Sequence, residues 1–432
     1  MNTTRWDRKV IVAGALFGVA MIHGTSRAVD MPERRSDTVR AMVAEMLADA
    51  QTRSSLMADP TRSGYDGGFR IGSSNGNFDL NVKALVQFRY HLNFRNADGI
   101  VNSNDFESGF NAPRTLLFFK GHVIDPKIYY QIRLNFNRAT GLATLDDAFV
   151  GYKFNNHWSV QWGQSLHPFD REWYHGDLKL LAVERSLPAL VFGSFRTQNL
   201  QIKYQNEQWR IYGTFSDGLR SANSEFTADP AEWALTGRAE WKYAGQWSQV
   251  GGEYTSPRGS NYAGAIGAAL HVEQGESAPS PATEQDLFAW TVDVVSKGNG
   301  WNFFAAATGY HTHDEAGVSE ADFDEYGAVV QGGVYVTDDV EVFSRYSIII
   351  PDDNRVGDDT FSTLTAGFNW YIHGQAAKFT LQGQWFFDPT TGTIAGNFAN
   401  TGGRSPTSTL FGVLPSAEEN QVTITAQFQL LF

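Results

Sequence analysis

From Phe78 to Phe94 the side chains alternate in character: Phe78, Leu80, Val82, Ala84, Val86, Phe88, Tyr90, Leu92 and Phe94 share one face of an extended chain. Asp79, Asn81, Lys83, Gln87, Arg89, His91, Asn93 and Arg95 share the other, and only Leu85 breaks the rule. A period of two belongs to a β-strand whose two sides meet unlike environments. The run is about three times as long as the usual strand of a water-soluble domain. It suits a tilted strand with hydrocarbon on one side and an aqueous lumen on the other.

The same alternation returns along the chain and ends on Val422, Ile424, Ala426, Phe428, Leu430 and Phe432 opposite Gln421, Thr423, Thr425, Gln427 and Gln429. Sixteen strands are expected, at 78–94, 114–124, 127–138, 145–154, 157–164, 198–205, 208–216, 234–243, 262–272, 286–296, 300–311, 325–336, 340–349, 361–372, 377–387 and 421–432. A weaker seventeenth, 246–255, falls in the connection 244–261, which is long for its rim. The other connections after even-numbered strands are mostly tight and those after odd-numbered strands mostly long, the asymmetry of an antiparallel transmembrane β-barrel. Sandwiches and propellers also alternate. Strand length, aromatic residues near strand ends and the terminal Phe432 favour the membrane barrel.

No stretch beyond residue 28 approaches the ~18 consecutive apolar residues of a spanning helix, so any membrane crossing falls to strands. The absence of cysteine excludes a disulfide scaffold and thiolate metal sites. A net charge of −13 argues against nucleic acid as a partner. That charge is uneven: residues 217–432 hold 9 basic against 27 acidic side chains, whereas 78–216 hold 15 against 12.

At the N-terminus, Arg5, Arg8 and Lys9 precede an apolar run from Val10 to Ile22 and the small-residue pair Ser26 and Ala28. This is the pattern of a cleavable secretory signal over 1–28. Residues 29–68 read as a periplasmic amphipathic helix over 33–56, striped by Val39, Met42, Val43, Met46 and Leu47, followed by a Pro/Gly-rich linker. Such a helix reads first as a cap, a plug or a frayed leader, and otherwise as a tether or short coiled coil in the periplasm. The barrel is expected over 69–432.

Gly163-Gln164-Ser165-Leu166-His167-Pro168-Phe169, then Glu184-Arg185-Ser186 and Phe215-Ser216-Asp217-Gly218, resemble the phosphate-selective porin O/P family of Gram-negative outer membranes. The resemblance implies a sixteen-stranded homotrimeric porin in that membrane, with the third long loop, here 165–197, folded into the lumen as a constriction. It also implies anion conduction, in some members phosphate-selective, through ladders of Arg and Lys.

Candidates in the constriction loop are His167, Arg171, Lys179, Glu184, Arg185 and Arg196; basic candidates on polar strand faces are Arg89, Arg95, Lys120, Lys127, Arg133, Lys153 and Lys203. Facing one another across a narrow lumen with low-dielectric walls, such cations concentrate anions. Taken singly, each reads more readily as a solvated lumen side chain paired with a wall carboxylate. The acidic stretches 314–325 and 352–359 belong at the long-loop rim and would oppose phosphate entry, so a general pore is expected as readily as a phosphate-selective one.

His311-x-His313 beside Asp314 and Glu315 lacks a fixed third ligand, and no metal is expected there. There is no G-x-S-x-G elbow and no phosphate-cradling glycine loop, so no catalytic residue and no cofactor is expected. The expected function is a water-filled channel for passive diffusion of inorganic anions or small hydrophilic solutes across the lipid. The alternatives are a plugged or wall-tethered structural barrel and a barrel hydrolase.

Overall fold

A computed structural model describes residues 44–45, 62–100, 104–227, 231–252, 254–275, 285–314, 321–354, 360–390 and 412–432. The signal segment 1–28 and nearly all of 33–56 lie outside the described residues; Ala44 and Glu45 are helical and exposed. The barrel belongs to the unit Pro60–Phe432.

Among the described residues two short strands, β1 (Arg62–Tyr65) and β2 (Phe69–Gly72), precede sixteen that form the wall. These are β3 (Asp79–Phe94), β4 (Phe106–Val123), β5 (Asp125–Phe136), β6 (Ala143–Lys153), β7 (Trp158–Leu166), β8 (Arg196–Gln205), β9 (Trp209–Ser216) and β10 (Ala231–Ala244). After them come β11 (Ala263–Gly275), β12 (Gln285–Gly298), β13 (Trp301–Asp314), β14 (Ala321–Tyr335), β15 (Val340–Ile350), β16 (Phe361–Gln375), β17 (Ala377–Phe386) and β18 (Gln421–Leu431). Each pairs antiparallel with the next, and β18 closes on β3 from Val422↔Phe94 to Leu431↔Leu85. All sixteen expected strands are present.

The alternation produces the closed wall directly. At the seam Phe88, Phe428 and Leu430 point out and are exposed, while Gln87, Arg89, Gln427 and Gln429 point in and are buried. The inward amides bond across the closure, Gln87 Nε2 to Gln429 Oε1 at 2.9 Å and Arg89 Nε to Gln427 Oε1 at 2.7 Å. Closure leaves no free edge in hydrocarbon, which is what lets a sheet span a membrane. At the short-turn rim Trp158 packs on Tyr204, Trp241 on Tyr243, Tyr243 on Tyr262 and Tyr262 on Trp301, a girdle of rings at the interface depth.

Two expectations are corrected. Residues 59–68 are not all linker: β1 pairs with β2 across a turn at Gly67-Gly68, and β2 pairs with the stretch of β3 that lies beyond the end of β18. Residues 246–255 are not a strand. They hold a short helix (Trp247–Val250), and Tyr254, Thr255 and Ser256 are buried. Lys297 donates to the carbonyl of Thr255, and Arg258 donates to those of Tyr335 and Val336. The inward cation Lys297 and the connection's own Arg258 tie this segment to the wall, so its length is used as packing.

The exception at Leu85 also has a cause. Leu85 faces inward opposite Leu116 and, with Phe118, packs against Leu178 of the long third loop. An apolar side chain on the polar face marks where the lumen is filled by protein.

Candidate functional site

The connection between β7 and β8, residues 167–195, enters the barrel and carries two short helices, α1 (Arg171–Tyr174) and α2 (Leu187–Val191). Its entry is set by Gly163, at φ +131°, where a Cβ would lie 2.3 Å from the carbonyl oxygen of Ala148. The Gln164 amide donates to the carbonyls of Leu145 and Asp146 and accepts from the Asn223 N–H, tying the loop base to two neighbours. Phe169 then inserts with Leu187, Leu190, Val191 and Phe192 into an apolar cluster that includes Tyr310, Phe361 and Phe386 of the far wall. Gly327 permits the approach of α2, since a Cβ there would meet Pro188 and Phe192 at 2.9 and 3.0 Å.

The loop backbone then runs along the inner face of β15 to β18. Lys378 donates to the Leu180 carbonyl, Asn369 to Leu181, Arg345 to Glu184 and Gln429 to Leu178. Leu180, Leu181 and Ala182 pack with Val250 and Tyr254 of the short-turn-rim connection and with Val295, Phe304, Val329 and Phe343. Loop and connection thus close the side of the lumen bounded by the later strands.

In Glu184-Arg185-Ser186 each residue has a separate task. Glu184 accepts from Arg114 at 2.8 and 2.6 Å and pairs with Arg89 at 2.8 Å. Burial alone would raise its carboxyl, but the two guanidiniums outweigh it and hold it at about 2. Arg185 sits over Trp173, its guanidinium carbon 3.8 Å from the ring centroid. Ser186 caps α2 by accepting from the Ala189 N–H, and its hydroxyl donates to the Glu172 carboxylate. At α1 the cap is Asp170, which accepts from the N–H groups of Trp173 and Ser194; burial pushes its carboxyl up to about 6.

Two ion-pair networks flank the passage. On one side Arg133 meets Asp177 at 2.8 Å and Asp146 at 3.0 Å, Arg114 meets Asp177 at 3.2 Å, and Arg196 meets Asp147 at 2.5 Å. Asp177 sits well below the usual carboxylate range because Arg133 and Arg114 overcome the effect of its burial. On the other side Arg171 and Arg238 share Asp293 and Glu240, and Arg171 also donates to the carbonyl of Val250.

Three water-accessible cavities lie against the wall formed by the early strands. One of about 640 Å³ on the long-loop side is lined by Arg114, Arg133, Arg138, Arg185, Arg196 and Arg220, against Asp146 and Asp177. On the short-turn side a cavity of about 370 Å³ carries Arg70, Lys83, Lys120 and Lys153 with Asp66 and Asp79. One of about 350 Å³ carries Lys203 and Arg210 with Asp147. The two inner cavities share Gln131 and Phe149. Between outer and inner spaces stand the pairs Arg133–Asp146 and Arg196–Asp147.

Of the sequence candidates, Arg133, Arg185 and Arg196 meet at the outer cavity, Lys120 and Lys153 at one inner cavity and Lys203 at the other. Lys127 is exposed at the short-turn end of β5, and Lys179 is half-buried. Arg89, His167, Arg171 and Glu184 are buried and hold the loop instead of facing water. His167 bonds to Thr197 and Thr236. Arg95 lies just past β3 and donates to the carbonyls of Asn104 and Pro415, because the strand ends one residue earlier. His311 and His313 each bond to one aspartate across the hairpin, Asp324 and Asp322. Arg70, Lys83, Arg114, Arg138, Arg210 and Arg220 were missed. Lys83 and Arg114 do lie on the polar faces of their strands; the loop residues Arg138 and Arg220 carry no periodic signal.

Residues 85–286 match the family model of phosphate-selective porins O and P. Those residues are a phosphate-selective porin O and P domain. The match runs from β3 into β12 and contains all three motifs. No curated protein sequence matches the chain significantly. Among solved structures, the anion-selective porin from Comamonas acidovorans superposes with a TM-score of 0.57 at 11% identity, over 82% of this chain and 99% of that one. The outer membrane channel DcaP of Acinetobacter baumannii gives 0.53 at 16% identity, over 85% and 100%. Salmonella typhi OmpF gives 0.53 at 10%, over 82% and 99%. These likenesses establish the closed porin barrel. With the family match, they make the protein an outer-membrane porin, a channel for passive diffusion of small hydrophilic solutes. Family and fold point to a channel rather than an enzyme.

Proposed function

We propose that this porin prefers anions and conducts them along the wall of β3 to β9. The observation that carries the reading is the outer cavity, where six arginines face two aspartates, both already engaged by guanidinium groups. Below it the wall stays basic through Lys83, Lys120, Lys153 and Lys203. Arg185 is presented by its stack on Trp173 and Arg196 by its pair with Asp147, so both cations are held at the narrowing with little rotational freedom. An anion passing between them exchanges part of its hydration for fixed positive charge in a low-dielectric setting.

The acidic rim does not argue against this. Asp322, Asp324, Asp352 and Asp353 lie at the ends of β14 and β15, about half the ring away from the arginine cavity on β4 to β6. Export by residues 1–28 and assembly as a homotrimer in the outer membrane complete the reading; the first rests on the signal pattern of the sequence and the second on the family resemblance.

The test is a reversal potential in a salt gradient across a planar bilayer. Anion permeability above cation permeability supports the proposal, and R138Q/R185Q/R196Q should bring the ratio toward one. A cation-selective wild-type channel refutes it. Complete absence of ohmic channels establishes the plugged barrel in its place.

A further inference from the structure

Behind the constriction loop, on the wall formed by β15 and β16, Arg345 is 3% exposed. Its Nη1 donates to the carbonyl of Glu184 at 2.7 Å, and its Nε has no hydrogen-bond partner. Among the described residues no carboxylate lies within ion-pair distance of it. The Glu184 carboxylate is taken by Arg89 and Arg114, and that of Glu172 accepts from the N–H and hydroxyl of Ser186.

Thr365 stands directly opposite Arg345 in the ladder, and Ser347 is two residues along on the same inward face. Their hydroxyls, Oγ1 of Thr365 and Oγ of Ser347, are buried and unpartnered too. Three neighbouring polar groups are therefore left over at one place. Directly opposed side chains lie roughly 5 Å apart and i, i+2 neighbours roughly 7 Å, so the three can converge on one small group.

We propose that this place binds a monatomic halide-sized anion between the loop and the wall. A guanidinium does not give up its proton in a protein, so burial leaves a full positive charge that wants either a carboxylate or a bound anion. The chemistry of the three groups selects the second. An N–H and two hydroxyls can all donate at once to an acceptor with no hydrogens, whereas a water accepts two such bonds and must find acceptors for its own protons. The anion sits under Glu184, whose backbone Arg345 holds, and so couples the salt outside to the firmness of the loop. This site is separate from the conducting cavities, which lie against β3 to β9.

The experiment uses the full chain folded in detergent, with thermal unfolding followed in sodium bromide and in sodium gluconate at equal ionic strength. The wild type should unfold at a higher temperature in bromide, with a saturable dependence on bromide concentration. S347A/T365V keeps the charge and should raise the half-saturating bromide concentration at least about tenfold, the effect of losing two hydroxyl donors. R345Q should abolish the dependence. Crystals of the wild type soaked in bromide should show an anomalous peak within bonding distance of Arg345 Nε. Equal midpoints in the two salts, an unaltered bromide dependence in R345Q, or water alone beside Arg345 in the soaked crystals would each overturn the assignment. If R345Q does not fold, the S347A/T365V titration and the soaked crystals decide. The readout is stability, so a channel that proved non-selective would leave this inference standing.

Discussion

Arg114 grips both carboxylate oxygens of Glu184, Nη1 to Oε1 at 2.8 Å and Nη2 to Oε2 at 2.6 Å, across 70 positions of sequence. Arg89 adds a third bond from the neighbouring strand at 2.8 Å. The pair joins the wall to the tip of the inward loop, so the narrowing of the lumen is positioned by a charge contact that two distant segments make together.

Glu184→Ala removes the carboxylate that two buried guanidiniums share, leaving Arg114 only its longer contact with Asp177, and should destabilise the folded protein by roughly 3–5 kcal/mol. Denaturant unfolding would show the loss, and open-channel noise should rise as the loop loosens. Because the folded carboxyl is depressed to about 2 from 4.5, its contribution is complete above pH 4.5 and disappears as pH falls toward 2. Channel noise in the wild type should therefore stay level from pH 7 to 5 and rise only below about pH 4. A rise beginning at pH 6 would assign the loop's hold to some other group.

Asp170 has the opposite sign. Burial raises its carboxyl from 3.8 to about 6, so the ionised form costs stability above that value and the cost disappears as pH falls from 6 to below 4. The limit is about 3 kcal/mol, at 1.36 kcal/mol per pH unit. The difference in unfolding free energy between Asp170→Asn and the wild type should shift in the mutant's favour between pH 4 and pH 8. A pH-independent difference would contradict the assignment.

Replacing 246–260 by a four-residue turn removes the connection that packs on the loop from the short-turn side and takes the Val250 carbonyl from Arg171. Single-channel conductance should increase. Unchanged conductance would mean that this connection fills space the ions never use.

Gly327→Val drives a branched side chain into Pro188 and Phe192. Overpacking of this kind costs about 1–3 kcal/mol. The shift of α2 should also alter conductance, whereas Gly213→Val, on the lipid side with no atom within 4 Å of its Cβ, should leave conductance unchanged.

What could be read in advance follows the local physics. The wall was legible because each strand residue chooses between two faces and a whole strand repeats the choice, as in 78–94 and 421–432. The loop 165–197 was legible as a loop because the alternation stops between the strands that flank it, and its inward fold was implied by the resemblance. Its anchors were not. Arg89 and Lys120 look alike on the polar faces of their strands, yet one is sealed beneath Glu184 and the other faces a cavity. Residues 246–255 offered enough apolar side chains to suggest a strand, and only the filled lumen beside them explains why they form packing instead.

By itself, the amino-acid order determined a closed antiparallel wall with apolar residues outside and polar residues inside, because hydrocarbon and water act on every side chain separately and the two-residue period adds their effects. The tertiary structure alone decided which inward cations meet solute and which hold the loop. That division depends on where residues 167–195 and 245–262 cross the lumen, and the packing and charge pairs that place them join segments with no regular spacing between them.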